Sequence, residues 1–139
     1  MIALDADVLT EILAGHAGFV QRAALVPPEE QSVPVIVVEE MIRGRLNSIR
    51  QTEAGKSKLT IERAYELFEA TLHAFRQIRV LPYTTAAEAL YQQWRGQKIR
   101  VGTHDLRIAA LCVVHSATLV TRNRRDFEQV PGLTLDVWE

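Results

Sequence analysis

Cysteine is almost missing from this chain. Cys112 stands alone among 139 residues, so no disulfide can close within it. Its place in an apolar stretch marks a small buried residue rather than a nucleophile. An excess of one charge is missing too: 16 Lys and Arg face 17 Asp and Glu, for a formal net charge of −1. No global basic field therefore advertises nucleic acid, although an average of this kind can hide local patches. No apolar run approaches the ~20 residues of a membrane span. The opening Met1-Ile2-Ala3-Leu4-Asp5 lacks the basic start of a signal peptide. These absences predict a cytoplasmic protein. With 47% apolar and 24% charged residues, the composition suits a globular core, and the length suits one domain over 1–139.

What is present is an alternation of short apolar runs and helical patterns. Residues 2–5 read as a buried strand, followed by a helix over 6–15 that Gly15 can end. Residues 16–32 are mixed, with Pro27-Pro28 marking a loop. The β-branched run Pro34 to Val38 predicts a second strand, with a helix from Glu39 onward. Residues 51–58 are polar and read as a helix–helix connection. Thr60 is placed to cap a helix carrying Ala64, Leu67, Phe68, Leu72 and Phe75 at helical spacing, as core or as a partner surface. Ile78 to Leu81 predicts a strand. Thr84 or Thr85 caps a helix with Leu90, Tyr91 and Trp94 on its core face, and Thr103 a helix over 104–115. Residues 118–121 and 133–137 predict the last strands. Strands alternating with helices imply an α/β fold with a mostly parallel sheet.

The acidic residues carry the chemistry. Asp5 leaves the first strand, Glu40 follows the second, Asp105 sits in the first turn of a helix, and Asp126, near Asn123, follows the strand 118–121. In an open α/β sheet the carboxyl ends of the strands share one edge, so acids distant in sequence can meet there. Such a cluster repels itself unless protons or a hard cation neutralise it. Oxygen donors of this kind suit Mg²⁺ or Mn²⁺ and point to phosphate chemistry. The four histidines, 16, 73, 104 and 115, show no metal-ligand spacing. His104 adjoins Asp105 and reads as a surface residue.

These segments resemble the PIN-domain ribonucleases, and within them the VapC toxins of bacterial toxin–antitoxin pairs. Ile2 to Leu9 is similar to their opening strand and first acid. Val35 to Gly44 is similar to their second motif, where the key Glu stands four residues before a Gly, which selects Glu40 over Glu39. Asp105 to Ala110 resembles the third motif, and Leu119 to Phe127 followed by Val130-Pro131-Gly132-Leu133 the closing one. Four weak motifs in the expected order make a fairly specific match. Two positions depart from it. Asp7 stands where many relatives carry Asn, adding a carboxylate that either crowds the site or binds metal. Asn123 occupies the slot of the fourth acid, leaving Asn123 and Asp126 as alternatives there.

The resemblance implies a PIN-like three-layer fold and metal-dependent hydrolysis of RNA by Asp5, Glu40, Asp105 and Asp126. It also implies a cognate antitoxin and a homodimer. Over 41–61, Arg43, Arg45, Arg50, Lys56 and Lys58 oppose only Glu53, and a second basic group comprises Arg95, Lys98, Arg100 and Arg107. With Arg122, Arg124 and Arg125 these could grip phosphates; Arg43, Arg122 and Arg124 are the candidates nearest the motifs. Two other readings stand beside this one. Leu4-Asp5-Ala6-Asp7-Val8 partly fits a haloacid-dehalogenase-type phosphatase, but Gly102-Thr103-His104-Asp105 does not supply its later metal motif. A catalytically inert PIN-like domain that binds RNA or protein is the other.

Overall fold

The computed structural model describes residues 1–139. Five strands, β1 (Ile2–Leu4), β2 (Gln31–Pro34), β3 (Arg79–Leu81), β4 (Thr118–Thr121) and β5 (Leu135–Val137), form one sheet in the order β3-β2-β1-β4-β5. All pairings are parallel. Parallel neighbours need long crossovers, and helices supply them: α1 (Ala6–Leu13), α2 (Ala17–Ala24), α3 (Val35–Glu53), α4 (Ile61–Phe75), α5 (Thr85–Gly96), α6 (Thr103–Val114) and α7 (Arg124–Phe127). The chain lays β2 and β3 on one side of β1, then returns to place β4 on the other. Strand order therefore reverses between β1 and β4, and the crevice at their carboxyl ends is where an open α/β sheet binds ligands.

The core lies beneath that crevice. Ala3, Leu4, Leu119 and Val120 on the central strands are at most 1% exposed, and α6 is fully buried from Ile108 to Cys112. Tyr91 and Trp94 pack into the same cluster from α5, as their spacing predicts. Thr60 and Thr84 cap α4 and α5, each accepting a backbone N–H, from Arg63 and Ala87 respectively, at 3.2 Å. No helix is long and apolar enough to cross a membrane.

Four expectations need correction. The second strand is Gln31–Pro34, and Val35–Val38 is the first turn of α3. Gln31 and Ser32 fall in the stretch read as mixed but belong to the strand, because their polar groups are satisfied internally. The Gln31 amide donates to the carbonyls of Ala23 and Val26, and the Ser32 hydroxyl donates to that of Ile2. The β-branched run is helical because Ile36 and Val37 find their burial on the helix face, and packing outweighs intrinsic β preference. Within residues 16–32 a full helix, α2, anchors itself through Phe19 and Ala23. Gly102, not Thr103, occupies the cap position of α6; the Thr103 hydroxyl instead accepts a hydrogen bond from Arg95. Finally, the polar connection is shorter than 51–58, since α3 runs to Glu53 and turns at Gly55, whose φ is +70°.

Candidate active site

Asp5 is the residue that the fold specifies most tightly. The β1–β4 register pairs Leu4 with Val120, so the next residues, Asp5 and Thr121, emerge side by side at the strand ends. Asp5 caps α1, accepting the Ala6 N–H at 2.8 Å, and accepts the Thr121 hydroxyl at 2.7 Å. Its carboxyl is only 7% exposed. Burial pushes its pKa up to about 7, aided by the charges of Asp7 and Asp105, although the hydrogen bonds from Thr121 and Ala6 oppose the shift.

Asp7 reaches the same hydroxyl, at 3.4 and 3.5 Å, and accepts the Arg122 N–H at 3.2 Å. Thr121 is fully buried and in turn accepts the Asn123 N–H at 3.1 Å. One hydroxyl thus ties α1 to the segment that follows β4. Sequence reasoning missed Thr121. Its signal was its place as the last residue of an apolar strand at the edge where acids were expected.

Glu40 sits in the second turn of α3 rather than just past a strand. Asp105 lies in the first turn of α6, where spare N–H groups favour a carboxylate. Burial raises the pKa of each. Asp105 is raised further by Asp126 and Asp7, and Glu40 by Asp105 and Glu39, with His104 opposing the shift in both cases. Asp5, Asp7, Glu40, Asp105 and Asp126 therefore share one electrostatic neighbourhood. His104 stands among them, with Nδ1 3.4 Å from Glu40 and Nε2 3.7 Å from Glu39. It faces the acids rather than lying apart from them on the surface.

Asn123 and Asp126 are bonded to each other. Asn123 caps α7 by accepting the Asp126 N–H at 3.3 Å, and its amide donates to the Asp126 carboxylate at 2.8 Å. The two alternatives for the fourth position are thus hydrogen-bonded to each other. Of the basic candidates, Arg43 is paired with Glu39. Arg122 is paired with Glu11 at 3.0 Å and lies over the Phe19 ring. Arg124 is exposed on α7.

These donors are hard oxygens whose negative charge is opposed by burial and by each other, so a hard divalent cation fits them chemically. No three His, Cys, Asp or Glu side chains converge into a complete ligand cage. A hard ion of the Mg²⁺ class needs no such cage, since it keeps waters and takes substrate phosphate beside one or two carboxylates. Cys112 plays no part: it is fully buried, and burial drives its thiol up to about 12.

Comparison with known proteins agrees with this geometry. The family model described as "PIN domain" matches residues 2–133. Ribonuclease VapC1 of Rickettsia felis is 33% identical over 98 residues, covering 70% of this chain and 69% of the relative. The fold matches DNA-bound VapBC from Salmonella typhimurium with a TM-score of 0.76, at 23% identity and 100% coverage of both chains. It matches a toxin–antitoxin complex from Klebsiella pneumoniae with a TM-score of 0.71, at 19% identity and 96% coverage of both. The matched residues include all four sequence motifs, and a third of the aligned residues are shared with a VapC ribonuclease over two thirds of both chains: this chain belongs to the PIN-domain family, in its VapC ribonuclease branch.

Proposed function

We propose that this protein is a metal-dependent endoribonuclease, the toxin of a toxin–antitoxin pair. The observation that carries the reading is the buried Asp5, with half-buried Asp7, Glu40 and Asp105 close enough to act on one another's charge, at the reversal point of the sheet in a chain of the VapC branch. Asp5, Glu40 and Asp105 would hold Mg²⁺ or Mn²⁺, with Asp126, oriented by Asn123, completing the site and Asp7 adding charge beside it. A bound ion of this kind would acidify a water and stabilise negative charge on a phosphodiester. The chain's own contribution is positioning. Two hydrogen bonds hold the Asp5 carboxylate, and the Thr121 hydroxyl keeps β4 in register with it.

Relatives of this fold occur as toxin–antitoxin complexes, which supports a cognate antitoxin for this chain; a homodimer is the assembly we propose on the family resemblance alone. We place the protein in the cytoplasm as a single domain. Of Arg43, Arg122 and Arg124, only Arg124 is not paired with an acid, which leaves it free for RNA.

The test is cleavage of purified total RNA with Mg²⁺ or Mn²⁺ by the wild type, by Asp5→Asn and in the presence of a chelator. Discrete fragments that vanish in both controls support the reading. Folded, antitoxin-free protein that binds neither divalent ion and cuts nothing would move it to the inert domain.

A further inference from the structure

Two cavities meet at Thr10 and Arg45, and the first of them reaches Glu40. One, of about 330 Å³, is lined by Ala6, Thr10, Glu40, Met41, Gly44 and Arg45. The other, of about 380 Å³, shares Thr10 and Arg45 with it and continues toward Leu67 and Thr71 on α4. A path therefore leads from the acidic site along α1 and α3, and Arg45 stands at its junction. We propose that the Arg45 guanidinium is a phosphate subsite, holding a backbone phosphate of the single-stranded RNA next to the one cleaved. The inference rests on the ribonuclease reading above.

The arginines nearby differ in how they are engaged. The charges of Arg43 and Arg122 are met by Glu39 and Glu11. Arg45 has no acidic partner. Its Nε donates at 3.0 Å to the hydroxyl of Thr71, which is 1% exposed and itself donates to the Leu67 carbonyl. A neutral, buried acceptor thus fixes the direction of the side chain while leaving its full charge and its terminal N–H groups for an anion. A guanidinium held this way is already organised for phosphate, which it can bind through two parallel hydrogen bonds. Gly44, beside it on the cavity wall, has nothing within 4 Å of where a Cβ would stand, so this part of the wall stays open to a chain passing along it. Arg50 lines a third cavity, which also reaches Glu40. It is exposed and no hydrogen bond fixes it, so it lacks the property that singles out Arg45.

The experiment measures binding of a short single-stranded RNA by Asp105→Asn protein, which would not cut it, over a range of salt concentrations. Arg45→Gln and Arg45→Lys are then added separately to that protein, and thermal melting checks each fold. A phosphate contact predicts about tenfold weaker binding for Arg45→Gln, with the salt slope reduced by about one. Arg45→Lys, which keeps the charge, should retain most of the slope. In the cleaving protein, Arg45→Gln should raise KM more than it lowers kcat. Unchanged affinity and slope in a folded Arg45→Gln protein overturns the inference. So does a variant that keeps RNA affinity but loses affinity for an acidic protein partner, which would assign Arg45 to that partner. Wild-type protein that cuts RNA while Arg45→Gln behaves identically sinks the subsite alone. Protein that neither binds nor cuts RNA sinks the ribonuclease reading with it.

Discussion

At the scale of single residues, Asp5 serves two ends that conflict. It caps α1 and stands as a site acid, yet its burial disfavours the charged form that a cation needs. Its folded pKa of about 7 lies above the value near 3.8 of a free carboxyl, so the folded state binds more protons than the unfolded state between these two pH values. Stability must then fall as pH rises from about 4 to about 7, and this contribution levels off above it. Melting temperature measured without divalent ions should be lower at pH 7.5 than at pH 5.5. Asp5→Asn should flatten that difference, because an amide carries no charge, can still accept from Ala6 and can donate to Thr121. The same variant should lose at least about a hundredfold in RNA cleavage, so that the ion-free protein becomes more stable as it becomes inactive. A drop in both stability and activity would mean that the cap matters more than the buried charge. His104→Gln, which leaves the acids in place, should lower activity about tenfold by freeing Glu40 from its neighbour; single-turnover cleavage would read the change.

At the scale of elements, what the sequence revealed depended on where each polar group found its partner. The caps at Thr60 and Thr84 were readable because a hydroxyl just before an apolar periodic stretch has one obvious use, to accept a backbone N–H of the first turn. Thr60→Ala and Thr84→Ala should each cost about 1 kcal/mol in denaturant melts. Strand β2 was not readable, since the partners of Gln31 and Ser32 lie on other elements. The run from Val35 to Val38 misled for the converse reason: its β-branched character is real, but burial on the α3 face decides its conformation. The positions of Asp5 just past β1 and of Asp105 in the first turn of α6 were legible one by one, whereas Glu40 lies within α3 rather than at a strand end. Their company was not, because Thr121 and His104 join the site through tertiary contacts that no spacing records. On α4 the residues at helical spacing are buried at Ala64 and half-buried at Leu67, Phe68, Leu72 and Phe75. Only Ala64 and Thr71 on it are buried, while Ile61 and Tyr65 remain exposed, so it packs on α3 as an outer hairpin rather than within the core.

At the scale of the whole molecule, the site depends on a core that lies directly under it. Phe127, 1% exposed on the short α7, belongs to that core and anchors the segment carrying Asn123 and Asp126. Phe127→Ala should cost about 3–5 kcal/mol and should also impair cleavage at temperatures where the fold survives. Divalent ion added at pH 7.5 should raise the melting temperature, because an ion that binds only the folded state draws the equilibrium toward it. Asp5→Asn should show a smaller rise.

The solitary thiol of Cys112 gives the molecule a clock. It lies fully buried in α6, close enough to Asp5 to feel its charge, and its thiolate is suppressed far above neutral pH. An alkylating reagent can reach it only when α6 leaves the sheet. The rate of covalent labelling therefore counts excursions out of the native state, with one event per molecule and no engineered probe. Since the acids above that thiol are the ones proposed to grip the ion, labelling should slow when Mg²⁺ or Mn²⁺ is supplied and quicken when a chelator removes it.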